Sequence, residues 1–179
     1  IGKQDHYIAS FGGINFIKYD KKEVKIFPIN VSKKKLNLFF KRMILIWTGK
    51  NRSAVDVLND QKSNIKKNIY YLREINKYTL EFKKEILKKN LNIKKLFKII
   101  SQTWEIKKKL SNLITNKNIE QLFTKLKKNG AQIGKLLGAG NGGFILIHAN
   151  SKVRKKFMNN FVKKKSFDFN IEKNGSVIL

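Results

Sequence analysis

Apolar residues recur at three- and four-residue steps through the middle of the chain, a spacing that places them on one face of an α-helix. Two long segments show this pattern, at residues 65–90 and 93–115, and a shorter one runs from Ile119 to Lys128. The third stops at Asn129-Gly130, a pair that commonly ends a helix. We therefore predict three amphipathic helices packed on a core. Further helices are predicted at residues 54–64, after a Ser53 cap, and at residues 152–162.

Short apolar runs bounded by glycine or charged residues predict strands. The clearest run covers residues 43–48 and is ended by Gly49, and another, residues 144–147, follows a glycine-rich segment. Residues 166–171 alternate apolar and polar side chains, which is typical of a half-buried strand. These three segments are predicted to belong to one sheet.

The two ends of the chain carry turn signals. Residues 1–12 predict a short helix that stops at Gly12-Gly13, and residues 14–19 and 24–27 predict a hairpin. Near the other end, Asn174-Gly175 predicts a turn, from which residues 177–179 would pair back.

The order of these elements predicts the fold class. From residue 36 onward it is strand, helices, a strand pair around the glycine-rich segment, helix and strand. This order is typical of an α+β fold with helices packed on an antiparallel sheet. The polar and basic stretch Val31–Lys35 is the candidate boundary, which divides residues 1–35 from residues 36–179.

Composition limits the classes of protein further. The chain has 179 residues, 41% of them hydrophobic, enough for one domain with a core or one domain plus part of another. It begins with Ile1 rather than Met, so we expect it to be incomplete at its amino terminus. The absence of cysteine excludes disulfides and thiolate metal sites and is consistent with the cytoplasm. No signal peptide and no bilayer-spanning apolar run is visible, so we expect no membrane association.

The formal charge of +28 arises from 40 basic and 12 acidic residues, an excess that usually indicates nucleic acid or an acidic membrane as partner. Here the lysines accompany abundant Asn and Ile, as in A/T-rich coding, and alternate with apolar residues at helical spacing. We therefore expect no dedicated nucleic-acid site, although a non-catalytic basic binding module remains an alternative. The four arginines are Arg42, Arg52, Arg73 and Arg154.

Four of the eleven glycines lie in the segment from Lys135 to Phe144. Glycine adopts positive φ without a Cβ clash, and successive free backbone N–H groups can form an anion-binding concavity. The segment is therefore either a corner between two strands that needs glycine or part of a ligand site. Both interpretations stay open from the residues alone.

Four stretches taken together resemble one family. They are Gly2-Lys-Gln-Asp5 with the residues up to Phe16, Trp47-Thr-Gly-Lys-Asn-Arg-Ser-Ala54, Trp104-Glu-Ile-Lys-Lys-Lys-Leu-Ser111 and Gly130-Ala-Gln-Ile-Gly-Lys-Leu-Leu-Gly-Ala-Gly-Asn-Gly-Gly-Phe144. The chain resembles the carboxy-terminal part of a GHMP-superfamily kinase, most closely the branch that phosphorylates heptose 7-phosphates.

The resemblance implies that residues 1–35 finish the amino-terminal kinase domain and that residues 36–179 form a ferredoxin-like carboxy-terminal domain. It also implies ATP-dependent phosphoryl transfer to a sugar hydroxyl, the anomeric one of a heptose 7-phosphate. Other sugar kinases of the superfamily, galactokinase-like or fucokinase-like, are the alternatives. The family's ATP phosphate loop is not in this chain, so we expect the isolated chain to be inactive without the missing amino-terminal segment.

The resemblance assigns roles to individual residues. Asp5 would take or orient the proton of the sugar hydroxyl, and Lys3 would stabilise the charge nearby. Thr48, Gly49 and Arg52 would bind the sugar phosphate. The glycine-rich segment would pack against the missing phosphate loop through Gly138, Ala139, Gly140, Asn141, Gly142 and Gly143.

One position departs from the family pattern. Asn141 stands where the family usually has another glycine, and asparagine tolerates left-handed backbone better than most residues. The cofactors implied are ATP and Mg²⁺, with the metal ligands expected mostly outside this chain. His6 is predicted to have a packing or surface role, because the adjacent helical residues Asp5 and His6 do not share a face. His148 lies in or beside a strand and has no partner that suggests a metal site.

Overall fold

The computed structural model describes residues 3–51, 54–158 and 165–177. The helices are α1 Lys3–Phe11, α2 Lys33–Phe40, α3 Ala54–Ser63, α4 Ile69–Leu87, α5 Ile93–Lys107, α6 Lys117–Lys128 and α7 Ser151–Lys156, and a 3₁₀ turn, Lys108–Leu110, follows α5. The strands are β1 Asn15–Tyr19, β2 Val24–Pro28, β3 Met43–Trp47, β4 Gln132–Leu136, β5 Phe144–His148 and β6 Ser166–Phe167.

Four strands form an antiparallel sheet in the spatial order β4-β5-β3-β6. Helices separate β3 from β4 and β5 from β6 along the chain, which is the arrangement of a ferredoxin-like fold. The prediction of an α+β fold with helices on an antiparallel sheet is therefore confirmed. Strands β1 and β2 form a separate hairpin, as predicted.

The two central strands, β3 and β5, are buried on both faces of the sheet. One face packs on a cluster that contains Trp104, and the other face packs on a cluster that contains Phe97. A strand covered on both sides has apolar residues at consecutive positions, and this explains why the apolar runs in the sequence identified these strands. The strand residues concerned are Ile44, Ile46, Ile145 and Ile147 on the first face, and Met43 and Leu146 on the second.

The helix predicted over residues 65–90 is shorter at both ends. Residues 64–68 form turns, and α4 begins at Ile69. Asn68 is buried, and its Nδ2 donates to the carbonyl oxygen of Leu110 at 2.7 Å. This bond joins Asn68 to a distant part of the chain, so the apolar spacing of residues 65–90 did not show that the helix begins only at Ile69.

The helix predicted over residues 93–115 ends at Lys107. Ser111 is fully extended, with φ at −166°, and Leu113 is 44% exposed although the helical pattern placed it in the core. Ile114 is fully buried, and its backbone contacts the glycine-rich segment. The last two turns of the predicted helix are therefore not formed, and the chain there instead makes the tertiary contact between Ile114 and the glycine-rich segment.

Helix α2 was not predicted from the sequence. The stretch Val31–Lys35 is polar and basic, and it predicted a boundary instead. The first turn of α2 carries three lysines, which the positive end of the helix dipole disfavours. Ser32 Oγ accepts the N–H of Lys35 at 3.4 Å, and Phe39 is buried against α4 and β3 residues. The division near residues 31–35 stays a prediction.

The carboxy-terminal part differs from the prediction. Of residues 166–171, only Ser166–Phe167 pair in the sheet. Residues 172–176 lie along the end of α1. The pairing predicted for residues 177–179 falls mostly outside the described residues. The N–H of Gly13 donates to Glu172 at 2.7 Å, and the N–H of Ser176 donates to Ala9 at 3.0 Å. Helix α7 starts as predicted, but the second half of the segment at residues 152–162, the Ser53 cap and residues 178–179 lie outside the described residues.

Among the described residues, none of the helices combines the length and the apolarity that a bilayer crossing needs.

Candidate functional site

The glycine-rich segment is the hairpin loop that joins β4 to β5. The N–H of Leu137 closes it by donating to Phe144 at 2.8 Å. Asn141, at 60°, is the only non-glycine residue with positive φ in the described part of the chain. The expectation that asparagine tolerates this backbone is confirmed. The other loop residues with positive φ are Gly138, Gly140, Gly142 and Gly143.

Gly140 abuts the backbone of Ile114. A Cβ at Gly140 would lie 2.6 Å from the Ile114 carbonyl oxygen and 2.7 Å from its Cα. Glycine is therefore required here by a contact inside this chain, in addition to its φ of +132°. The predicted packing of the loop against a phosphate loop stays a prediction.

Asn116 fixes the loop to the start of α6. Its Oδ1 accepts the N–H of Ile119 at 3.1 Å and so caps the helix, while its Nδ2 donates to Asn141 Oδ1 at 2.8 Å. The N–H of Asn141 donates to the carbonyl of Ile114 at 2.7 Å. The sequence analysis missed Asn116, although its position three residues before Ile119 was a visible capping signal.

The opposite side of the loop is held by the end of α5, where Lys107 Nζ donates to the carbonyl oxygen of Gly138. The N–H groups of Asn141 and Gly143 are already used by carbonyls of this chain, those of Ile114 and Lys50. The loop therefore does not present an unbroken series of free N–H groups to an anion.

The structure brings Thr48 and Gly49 to this loop. The N–H of Thr48 donates to the Gly143 carbonyl at 2.9 Å, and the N–H of Gly143 donates to the Lys50 carbonyl at 3.1 Å. Gly49, between them, has φ at +81°, which favours glycine. The segment after β3 and the glycine loop thus lie side by side at the same end of the sheet and form one continuous edge there. Arg52, the third predicted substrate-binding residue, lies outside the described residues.

Lys3 and Asp5 lie on α1 and are exposed. Asp5 is in the first turn, as predicted, and the Tyr7 ring lies 6.2 Å from the Tyr19 ring. Burial, followed by Tyr7 and Asp5, raises the pKa of Tyr19. None of the hydrogen bonds or ion pairs between described residues joins α1 to the glycine loop. The roles predicted for Lys3 and Asp5 stay predictions.

His148 lies at the end of β5 far from the glycine loop. Its ring packs 5.2 Å from the Phe97 ring, and its Nε2 is buried without a hydrogen-bond partner among the described residues. Burial and the nearby Arg42 lower the pKa of His148. His6 is exposed on α1.

The described residues contain no group of three or more His, Asp or Glu side chains that could hold a metal ion. The carboxylate ligands that Mg²⁺ prefers are thus not assembled in this part of the chain.

No family model matches the sequence. The D-glycero-alpha-D-manno-heptose 7-phosphate kinase of Campylobacter jejuni is 27% identical over 179 residues, which cover 97% of this chain and 52% of that protein. The chain thus spans about half the length of the curated relative that it matches.

Solved structures share the fold along nearly the whole chain. A putative sugar kinase from Campylobacter jejuni superimposes with a TM-score of 0.68 at 26% identity, covering 97% of this chain and 50% of that one. A D-glycero-D-manno-heptose 1-phosphate kinase from Bacteroides thetaiotaomicron gives 0.67 at 20% identity, covering 97% and 47%. The mevalonate kinase of L. major in complex with R-mevalonate gives 0.70 at 16% identity, covering 96% and 53%. At these lower identities the likeness concerns the fold.

Proposed function

We propose that this chain, which is the carboxy-terminal part of a GHMP-superfamily kinase, forms the acceptor-binding side of an ATP-dependent sugar kinase. The acceptor that we favour is a heptose 7-phosphate, and the hydroxyl that receives the phosphoryl group is the anomeric one. The similarity to the Campylobacter jejuni heptose 7-phosphate kinase over 97% of this chain supports this choice.

The observation that carries the proposal is the pair of hydrogen bonds between the segment after β3 and the glycine loop. Thr48 and Gly143 are joined at 2.9 Å, and Gly143 and Lys50 at 3.1 Å. These bonds fix two motifs that are about 95 positions apart in sequence into one edge. A rigid edge of this kind can hold a substrate in the orientation that transfer requires.

Phosphoryl transfer needs alignment of the reacting groups, neutralisation of charge and a group that accepts the hydroxyl proton. When bound, ATP supplies the phosphoryl group and Mg²⁺ neutralises its charge. Asp5 would accept or orient the proton of the acceptor hydroxyl, and Lys3 would stabilise negative charge beside it. An amino-terminal segment would supply the phosphate loop, and the cytoplasm, where ATP is abundant, is the setting we favour.

Arg52 would bind the phosphate already present on the sugar. A guanidinium group can donate two parallel hydrogen bonds to a phosphate, and Arg52 follows Gly49 by three positions.

The decisive experiment is a kinase assay on the complete polypeptide that contains this chain, with ATP and four acceptors: heptose 7-phosphate, unphosphorylated heptose, galactose and fucose. We expect heptose 7-phosphate to have the highest kcat/KM. Arg52→Ala should raise the KM for heptose 7-phosphate at least tenfold, with a smaller effect on unphosphorylated heptose. Arg73→Ala, which removes an exposed arginine of α4, is the matched control and should change neither value.

Asp5→Asn tests the proton acceptor separately. We expect kcat to fall by a factor of roughly 100 or more, with little change in sugar KM, because general-base catalysis commonly contributes about that much. An unchanged kcat would remove Asp5 from the chemistry.

The same assay separates the alternatives. Preference for an unphosphorylated sugar would favour a galactokinase-like or fucokinase-like enzyme. Absence of transfer to all four sugars, combined with nucleic-acid binding that weakens steeply with salt, would favour a basic binding module instead.

A further inference from the structure

A second concave region lies at the other end of the sheet from the glycine loop. A cavity of about 780 Å³ opens between α2 and the segment that follows β6. Arg154, one of its lining residues, donates from Nη1 to the carbonyl oxygen of Met43 at the start of β3, at 2.8 Å. The glycine loop lies beyond Trp47, at the other end of β3, roughly 13 Å away along the strand. The cavity is therefore separate from the candidate kinase site.

The apolar part of the cavity comes from two segments. Helix α2 contributes Leu36 and Phe40, and the segment after β6 contributes Phe169 and Ile171. The rings of Phe40 and Phe169 meet edge to face, with centroids 5.4 Å apart. This contact fixes an aromatic surface that can hold a flat apolar group.

The polar part of the cavity is cationic. Lys33, Lys41 and Lys173 line it, and none of them forms an ion pair within the described part of the chain. Among the described residues of the lining, Asp168 is the only acidic one, and its carboxylate is paired with Arg154. The positive charge of the three lysines is thus not neutralised locally.

The cationic character continues beyond this cavity. An adjoining recess of about 660 Å³ shares Lys41 and Arg154 and adds Arg42 and Lys155. Two of the four arginines of the chain therefore lie here. Arg154, whose side chain is 24% exposed, is held by the Met43 carbonyl and by Asp168, so the wall between the two spaces is fixed.

We propose that this cavity binds a small organic phosphate whose ring-shaped apolar group lies on Phe40 and Phe169 and whose phosphate contacts Lys33, Lys41 and Lys173. The volume of the cavity lies within the range of about 300–1,000 Å³ that is typical of small-molecule sites. Seven of the eleven described residues that line it are polar or charged, so the ligand that fits it must combine an anionic group with an apolar one. Lysine–phosphate contacts are charge-assisted hydrogen bonds and are stronger than neutral ones. The site does not depend on the proposed kinase activity, since it lies at the opposite end of β3 from the glycine loop.

Calorimetric titration with phenyl phosphate, inorganic phosphate and phenol tests the proposal, because phenyl phosphate combines both features of the expected ligand. We expect phenyl phosphate to bind at least tenfold more tightly than either of the other two probes. Chemical-shift changes in the rings of Phe40 and Phe169 should accompany binding.

The charge requirement is tested with the double variant Lys33→Ala/Lys41→Ala, which should weaken binding of phenyl phosphate at least tenfold. The matched control Lys66→Ala/Lys67→Ala removes two exposed lysines from the turn between α3 and α4 and should weaken binding less than twofold. Equal weakening in both variants would show general electrostatic attraction and overturn the proposal. Equal affinity for inorganic phosphate, or binding of anionic lipid vesicles without binding of phenyl phosphate, would overturn it as well.

Discussion

The side chains of Asn116 and Asn141 form a 2.8 Å hydrogen bond that ties the capped start of α6 to the glycine loop. Asn141 has φ at +60°, and a glycine at this position would adopt the same backbone but could not form the bond. The asparagine that departs from the family pattern is therefore part of what holds the loop in this chain.

A double-mutant cycle measures this bond. Asn116→Ser keeps a helix-capping oxygen but is too short to reach Asn141, and Asn141→Gly removes the partner while suiting positive φ. We expect a coupling free energy of about 0.5–1.5 kcal/mol from urea unfolding of the four proteins, the range of a single hydrogen bond. Additive effects of the two substitutions would show that the two side chains do not stabilise the fold together.

Gly140→Ala should destabilise the chain more than an ordinary glycine substitution. Its Cβ would lie 2.6 Å from the backbone of Ile114, and neither backbone can move without breaking the Asn141–Ile114 bond. Overpacking of this kind costs roughly 1–3 kcal/mol in addition to the conformational cost of about 1–2 kcal/mol.

Gly13→Ala is the matched control for that substitution. Gly13 also has positive φ, +62°, but the nearest atom to its Cβ would be the Lys173 carbonyl oxygen at 3.7 Å, an ordinary contact. Only the conformational cost of about 1–2 kcal/mol should remain. Equal losses of unfolding free energy in the two variants would contradict the close contact at Gly140.

The stability of the protein should fall as the pH drops below about 6.5, the ordinary pKa of a histidine in an unfolded chain. Burial and Arg42 lower the pKa of His148, so the folded state binds its proton less readily than the unfolded state does. The stabilisation is therefore complete above the unfolded pKa and is lost as the pH falls towards the lower folded pKa. His148→Gln should flatten the dependence of unfolding free energy on pH in this window.

His6→Gln is the control, because His6 is the other histidine of the chain and is exposed. It should keep the slope of the unsubstituted protein. If His6→Gln flattened the slope and His148→Gln did not, the interpretation of His148 as a neutral, packed side chain would be wrong.

Lys135→Met should stabilise the fold. Lys135 lies on β4, burial lowers the pKa of its ammonium group, and that group has no hydrogen-bond or ion-pair partner among the described residues. Removing an uncompensated charge from a partly buried position should raise the unfolding free energy by roughly 1 kcal/mol. Lys127→Met on the exposed face of α6 should change it by less than about 0.5 kcal/mol. A loss of stability in Lys135→Met would indicate a role for the ammonium group that these contacts do not include.

The sequence predicted the sheet strands best where burial is two-sided. Strands β3 and β5 appear as uninterrupted apolar runs because helices cover both faces of the sheet. The roles predicted for Asp5, Thr48 and Gly49 stay predictions, and the hydrogen bond of Thr48 to the glycine loop was not among the sequence-based expectations. Such a contact joins segments that are far apart in the chain, and local sequence patterns do not show which distant segments meet.

The sequence by itself determined the local features whose causes are local. Glycines at Gly12, Gly13 and the β4–β5 loop fixed the ends of elements because glycine adopts positive φ without a Cβ clash. The tertiary structure decided where helices end and what holds the loop. Helix α5 stops before its apolar pattern does because Ile114 is needed beneath Gly140, and Asn116 and Lys107 reach the loop only once α5 and α6 have packed beside β4. A contact between distant segments can outweigh local helical preference. Helix propensity contributes tenths of a kcal/mol per residue, about 0.7 kcal/mol at most for ordinary residues. Burial of one large apolar side chain contributes about 1.5–3 kcal/mol.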